Sequence, residues 1–181
     1  AVGMAASGSV DVVFDNAEAR SVGQPGDYVG RPGFWHGGAG IAACWHGGAM
    51  GLGRALAARS RGAGADAHRL AHLGAIDAAL YASGALLRET AQWIDAHPHD
   101  DAQAVALRAR LAVEKAAQEI VEHAGRAMGA GPLCRDEKLA RAVAHLPIYL
   151  RQSHAQRDLE CLGRLACEEV AAQGADERWR P

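Results

Sequence analysis

The spacing of apolar and polar residues changes character once along the chain, near residue 34. Before it, Val10, Val12 and Phe14 alternate with Asp11, Val13 and Asp15, the period-two signature of a strand leaving a sheet. Turn signals follow, Gln24-Pro25-Gly26-Asp27 and Arg31-Pro32-Gly33. Beyond them the period becomes helical. A first helix is predicted over 34–61. A second over 66–97 carries Leu70, Leu73, Ile76, Leu80, Leu87 and Ile94 at helical spacing, with Asp66 as N-cap and Pro98 as terminator. A third, opened by Asp100 or Asp101 and running to 128, places Val105, Leu107, Leu111, Val113, Ile120 and Val121. Gly129-Ala130-Gly131-Pro132 breaks it. A short segment over 136–145 stops before Pro147, and a last long helix covers 148–173, leaving a polar tail.

Long helices joined by short connections predict an all-α fold, an antiparallel four-helix bundle preceded by a short β segment. One strand cannot bury both of its faces alone. The opening segment is therefore expected to be the remnant of a truncated β domain, with a missing N-terminal portion supplying the rest of the sheet. Within the first helix, Trp35-His36-Gly37-Gly38-Ala39 returns ten residues later as Trp45-His46-Gly47-Gly48-Ala49. Ten residues is not a whole number of helical turns, so the two tryptophans are expected to anchor separate surfaces. The small residues beside them are expected to let helices approach closely.

Composition narrows the class. The chain has 181 residues and a formal charge of −2; 49% of residues are hydrophobic and only 5% aromatic, with 22 glycines and about 40 alanines. That length can bury a real core. Near-neutral charge argues against a nucleic-acid protein, which needs excess Lys and Arg to neutralise phosphates. The apolar fraction is too high for disorder, and alanine without aromatics disfavours a β-sandwich. Cys44, Cys134, Cys161 and Cys167 contain no CxxC pair, so a reduced, cytoplasmic chain is expected. The start lacks the pattern of a signal peptide, and the glycine-rich apolar stretch 37–53 is short for a membrane span, so no membrane is expected as a partner.

Familiar site chemistry is sparse. Glu119, Glu122 and His123 do not form the Glu-x-x-His spacing of a di-iron bundle, and no second copy exists. His68 and His72 share a helix face but lack the glutamate of a zinc-peptidase helix. No metal is expected. No Gly-x-Ser-x-Gly occurs, and Gly129-Ala130-Gly131 lacks the lysine of a phosphate loop. The densest polar stretch covers 149–158. After Pro147 it would open a helix, so Arg151, Gln152, Ser153 and His154 would surround backbone N–H groups suited to an anion, or else form a solvated helix face.

The order of these pieces resembles the acyl-CoA dehydrogenase superfamily, from the end of its middle β domain through its C-terminal helical domain. The likeness rests on 7–16 (SGSVDVVFDN), on Gly48-Ala49-Met50-Gly51-Leu52, on 116–131 with Glu137-Lys138-Leu139-Ala140-Arg141, and on Ile148-Tyr149 with 153–157. It implies 1–30 as the end of a β domain and linker, 31–174 as the helical bundle and 175–181 as a frayed tail. It also implies FAD, held between the β and helical domains and touching a neighbouring subunit, in a homodimer or homotetramer. Carried over by position, Arg126, Gly129, Gly131, Gln152 and His154 become the cofactor contacts. The family's Arg-Gln-x-Phe-Gly segment has no counterpart near 69–74. The implied activity is a flavin oxidoreductase acting on CH–CH groups, with an acyl-CoA or other small molecule as substrate. Its usual catalytic glutamate aligns with Leu150, and the alternative glutamate of some members aligns near Ile41, so no catalytic residue is assigned. A flavin-dependent monooxygenase or oxidase on the same scaffold, or a non-catalytic oligomerisation module, would tolerate that loss.

Overall fold

A computed structural model describes residues 3–61 and 66–173. Among the described residues all regular structure is helical. A single 3-10 turn at Ala5–Ser7 precedes α1 (Asp27–Gly30), α2 (Pro32–Arg59), α3 (Ala67–Ala96), α4 (Gln103–Met128), α5 (Ala130–Arg135), α6 (Glu137–Leu150) and α7 (Gln156–Gln173). The all-α expectation holds. The expected β segment does not appear: residues 8–26 take neither helix nor strand, and Val10, Val12, Val13 and Phe14 stand in solvent. The physical reason is plain, because a lone strand has no ladder to satisfy its backbone and no described segment pairs with it. The frayed tail of the sequence reading lies outside the described residues.

Local chemistry sets the helix ends. Pro32 occupies the first turn of α2, where its missing N–H costs nothing. Asp66 caps α3 by accepting from the Arg69 backbone N–H, and Asp136 caps α6 by accepting from that of Leu139. Gly129 separates α4 from α5 with φ 67° and ψ −174°, a backbone conformation essentially reserved for glycine.

The helix α4 is the centre of the molecule. Its inward stripe of Ala106, Val113, Ala117, Ile120 and Ala124 meets Ala42, Trp45, Ala49, Leu52 and Leu56 of α2. Ile76 from α3 and Leu139, Leu146 and Leu150 from α6 close this core. The duplicated motif behaves as its ten-residue offset requires. Trp45 is fully buried, whereas Trp35 lies along a surface cleft. Close approach is realised at Gly48, where an added Cβ would lie 3.1 Å from Leu146, and at Gly53, where it would lie 2.9 Å from Leu80. Gly37, Gly40, Gly47 and Gly51 instead face open space.

Polar contacts join the helices as well. His72 of α3 meets His123 of α4 with 2.8 Å between their Nδ1 atoms, and His46 of α2 meets the buried Ser83 hydroxyl of α3 at 3.0 Å. By length and composition alone, α3 is long and apolar enough to cross a membrane, and little of its most apolar stretch is buried here.

The end of α6 departs from the sequence reading. The expected break at Pro147 is absent, since α6 runs through it to Leu150, and the final helix starts at 156 rather than 148. Proline removes a single helical hydrogen bond. The burial of Leu146 and Leu150 on either side holds the turn in place. This inverts the polarity expected for the polar stretch. Arg151 caps the C-terminus of α6, and the connecting turn presents carbonyl oxygens where N–H groups were expected.

Candidate functional site

An open cleft of about 370 Å³ lies where α1 and the start of α2 face α4 and the start of α7. Tyr28, Phe34, Trp35 and Ile41 supply an apolar wall, while Arg31, Arg110, His154 and Asp158 supply its polar groups. Convergent polar groups in an apolar concavity are the usual form of a small-molecule site.

Arg110 organises the cleft floor. It occupies a core position of α4, between Ala106 and Val113, and is itself buried. Its two terminal nitrogens donate to the carbonyl oxygens of Gly38, at 3.1 Å, and Gln152, at 3.0 Å, so it ties the first turns of α2 to the turn after α6. The guanidinium also stacks 4.9 Å from the centroid of Trp45. Burial pushes its pKa below the ordinary arginine value, while the charges of Asp158 and Glu114 oppose that shift. The group stays a cation across the range in which proteins fold. The C-terminal carbonyls of α6 thus gather a positive charge, as a helix C-terminus does.

Asp158 is the third residue of α7, where the helix dipole favours a carboxylate. Its Oδ2 accepts from the His154 backbone N–H at 3.2 Å, and its Oδ1 lies 3.4 Å from His154 Nδ1. The Asp158 side chain is 11% exposed and that of His154 66%. Between them Ala155 has φ 45°, a left-handed conformation that costs an L-residue about 1–2 kcal/mol. The Ser153 hydroxyl accepts from the Ala155 N–H at 3.2 Å and helps hold that turn.

The five residues implied as cofactor contacts fall into two groups. Gln152 and His154 belong to the cleft turn. Arg126 lies near the C-terminal end of α4, Gly129 directly after it and Gly131 in α5; Arg126 is 16 residues beyond Arg110, which is about 24 Å of helix. Arg126 pairs with Glu122 at 2.6 Å, and an added Cβ at Gly129 or Gly131 would meet nothing within 4 Å. One copy of the chain does not bring these five residues together at one site.

Neither glutamate position is vacant surface. Leu150 is fully buried in the core, while Ile41 lines the cleft. Glu114 is also a buried carboxylate, but it accepts from Arg151 and Gln118 and lines a separate groove on α4. Arg110 and the His154–Asp158 pairing were not drawn from the sequence. The available signal for Arg110 was a charged residue inside the apolar stripe of α4. Among the described residues no group of three or more His, Cys, Asp or Glu side chains is arranged to hold a metal.

Compared with known proteins, the chain matches no family model, no curated protein and no solved structure.

Proposed function

We propose that this chain is the C-terminal helical part of an acyl-CoA-dehydrogenase-like flavin oxidoreductase, and that the cleft beside Arg110 is its chemical face. The observation that carries the reading is the pairing of elements around the cleft. Ile41, at one of the two positions from which the resembled family presents its glutamate, lines the cleft, while Leu150, at the other, is buried in the core at the end of α6, one turn before the cleft residue His154. The helix order supports it too. In this reading α2, α3, α4 and α6 are the four-helix bundle. The exposed residues 10–14 belong to a sheet completed by a preceding β domain, and a small acyl thioester is the substrate.

FAD, when bound, would supply the hydride acceptor. Gln152 and His154 would contact it from one copy, and Arg126, Gly129 and Gly131 from a neighbouring copy. A homodimer or homotetramer goes with that division, because Arg126 stands about 24 Å along α4 from Arg110, which holds the Gln152 carbonyl. A cytoplasmic location goes with the free cysteines.

The apolar residues at both glutamate positions favour a second reading on the same scaffold, a flavin-dependent monooxygenase or oxidase. The test is the visible spectrum of the full-length natural polypeptide containing this chain. Flavin absorbance that bleaches with octanoyl-CoA under anaerobic conditions is expected. Absorbance without bleaching, followed by rapid reoxidation in oxygen with an oxygenated product, selects the monooxygenase. Absence of flavin, before and after FAD addition, overturns both and leaves the oligomerisation module.

A further inference from the structure

We infer that His154, oriented by Asp158, is the proton acceptor of the cleft, a role that Leu150 and Ile41 cannot fill. This rests on the flavin reading above for its substrate class, but the pair itself is read from geometry. Of the residues lining the cleft, Arg31 and Arg110 are cations and the aromatic wall offers a single phenol, Tyr28. His154 supplies the one imidazole among them, and Asp158 the carboxylate beside it. Asp158 is the more buried, at the start of a helix, and both its oxygens are turned towards His154: one accepts the backbone N–H, the other faces Nδ1. That arrangement leaves Nε2 as the nitrogen able to accept a proton from a bound molecule.

The step is a proton transfer and balances without an oxidant. Nε2 of neutral His154 takes the proton from a carbon next to a thioester carbonyl. The electron pair of the broken C–H bond stays on the substrate as an enolate, and the imidazolium formed lies beside the Asp158 carboxylate. Arg110 is pinned by Gly38 and Gln152, so it offsets the Asp158 charge without displacing His154 from it. Asp158 acts through His154 and is a positioning residue. It also caps the turn into α7, which any test has to separate from its charge.

The experiment uses the full-length protein in deuterium oxide with octanoyl-CoA under anaerobic conditions, reading deuterium gained at the carbon next to the carbonyl by mass spectrometry. The wild type is expected to gain deuterium at that carbon. His154→Gln is expected to slow exchange about 100-fold or more. Asp158→Asn keeps an oxygen to accept the His154 N–H but loses the charge. It is expected to slow exchange about tenfold or more, and Asp158→Glu, which keeps the charge, is expected to recover most of the rate. Wild-type exchange rates in His154→Gln or in Asp158→Asn overturn the proposal while leaving the flavin reading in place. A wild type that holds flavin yet shows no exchange does the same. A protein with neither flavin nor exchange overturns both.

Discussion

At the scale of single residues, the two glycines after α4 look alike in sequence and differ in physics. Gly129 holds a conformation essentially closed to L-residues, whereas Gly131 sits in α5 with an ordinary negative φ. Gly129→Ala is expected to destabilise the protein by about 1–3 kcal/mol from backbone strain alone. Gly131→Ala is expected to be neutral or mildly stabilising, since its Cβ meets nothing. Urea denaturation of the two variants measures the difference directly. The sequence marks both positions as a helix break but cannot rank them, because φ is a property of how α4 and α5 join. Arg110 is the opposite case. Its place in the apolar stripe is visible in the sequence, but its purpose depends on two carbonyls 72 and 42 residues away.

At the scale of elements, the helical periods were legible because burial on one face imposes them, and α2, α3 and α4 end within about two residues of their expected bounds. The exception at α6 has a definite cause. A proline reads as a stop when only local propensity is weighed, and the buried leucines on either side of Pro147 outweigh one lost hydrogen bond. The candidate site suffered most from that misreading, since its turn was assigned to the wrong end of a helix. Between α2 and α3, burial and the charge of Arg88 hold the His46 imidazole below its ordinary pKa. The folded state therefore binds its proton less readily than the unfolded chain. The contribution is intact above the ordinary histidine value near 6.5 and is lost as pH falls through the window below it. Thermal melts between pH 7.5 and 5 are expected to show a falling midpoint, and His46→Gln should flatten part of that slope. The alternative, an unchanged slope in the variant, would place the acid sensitivity elsewhere.

At the scale of the whole molecule, one core built on α4 explains why the fold class could be read from composition: alanine-rich helices come close enough to share it. What could not be read was which glycines serve that closeness. Gly48 and Gly53 do, touching Leu146 and Leu80, while Gly37, Gly40, Gly47 and Gly51 form a ridge of α2 against which nothing lies. Those four have ordinary helical φ values, so alanine fits each of them without strain. A helix interior gains about 0.5–1 kcal/mol per Gly→Ala change. The quadruple variant is expected to gain roughly 2–4 kcal/mol, read as a higher urea midpoint. A lower midpoint would overturn the expectation that alanine is accommodated along the ridge. In water, then, the ridge is a reserve of stability left undrawn, and later sequence change on α2 can destabilise the core and be compensated there, at Gly40, Gly47 and Gly51 away from the cleft and at Gly37 on its edge.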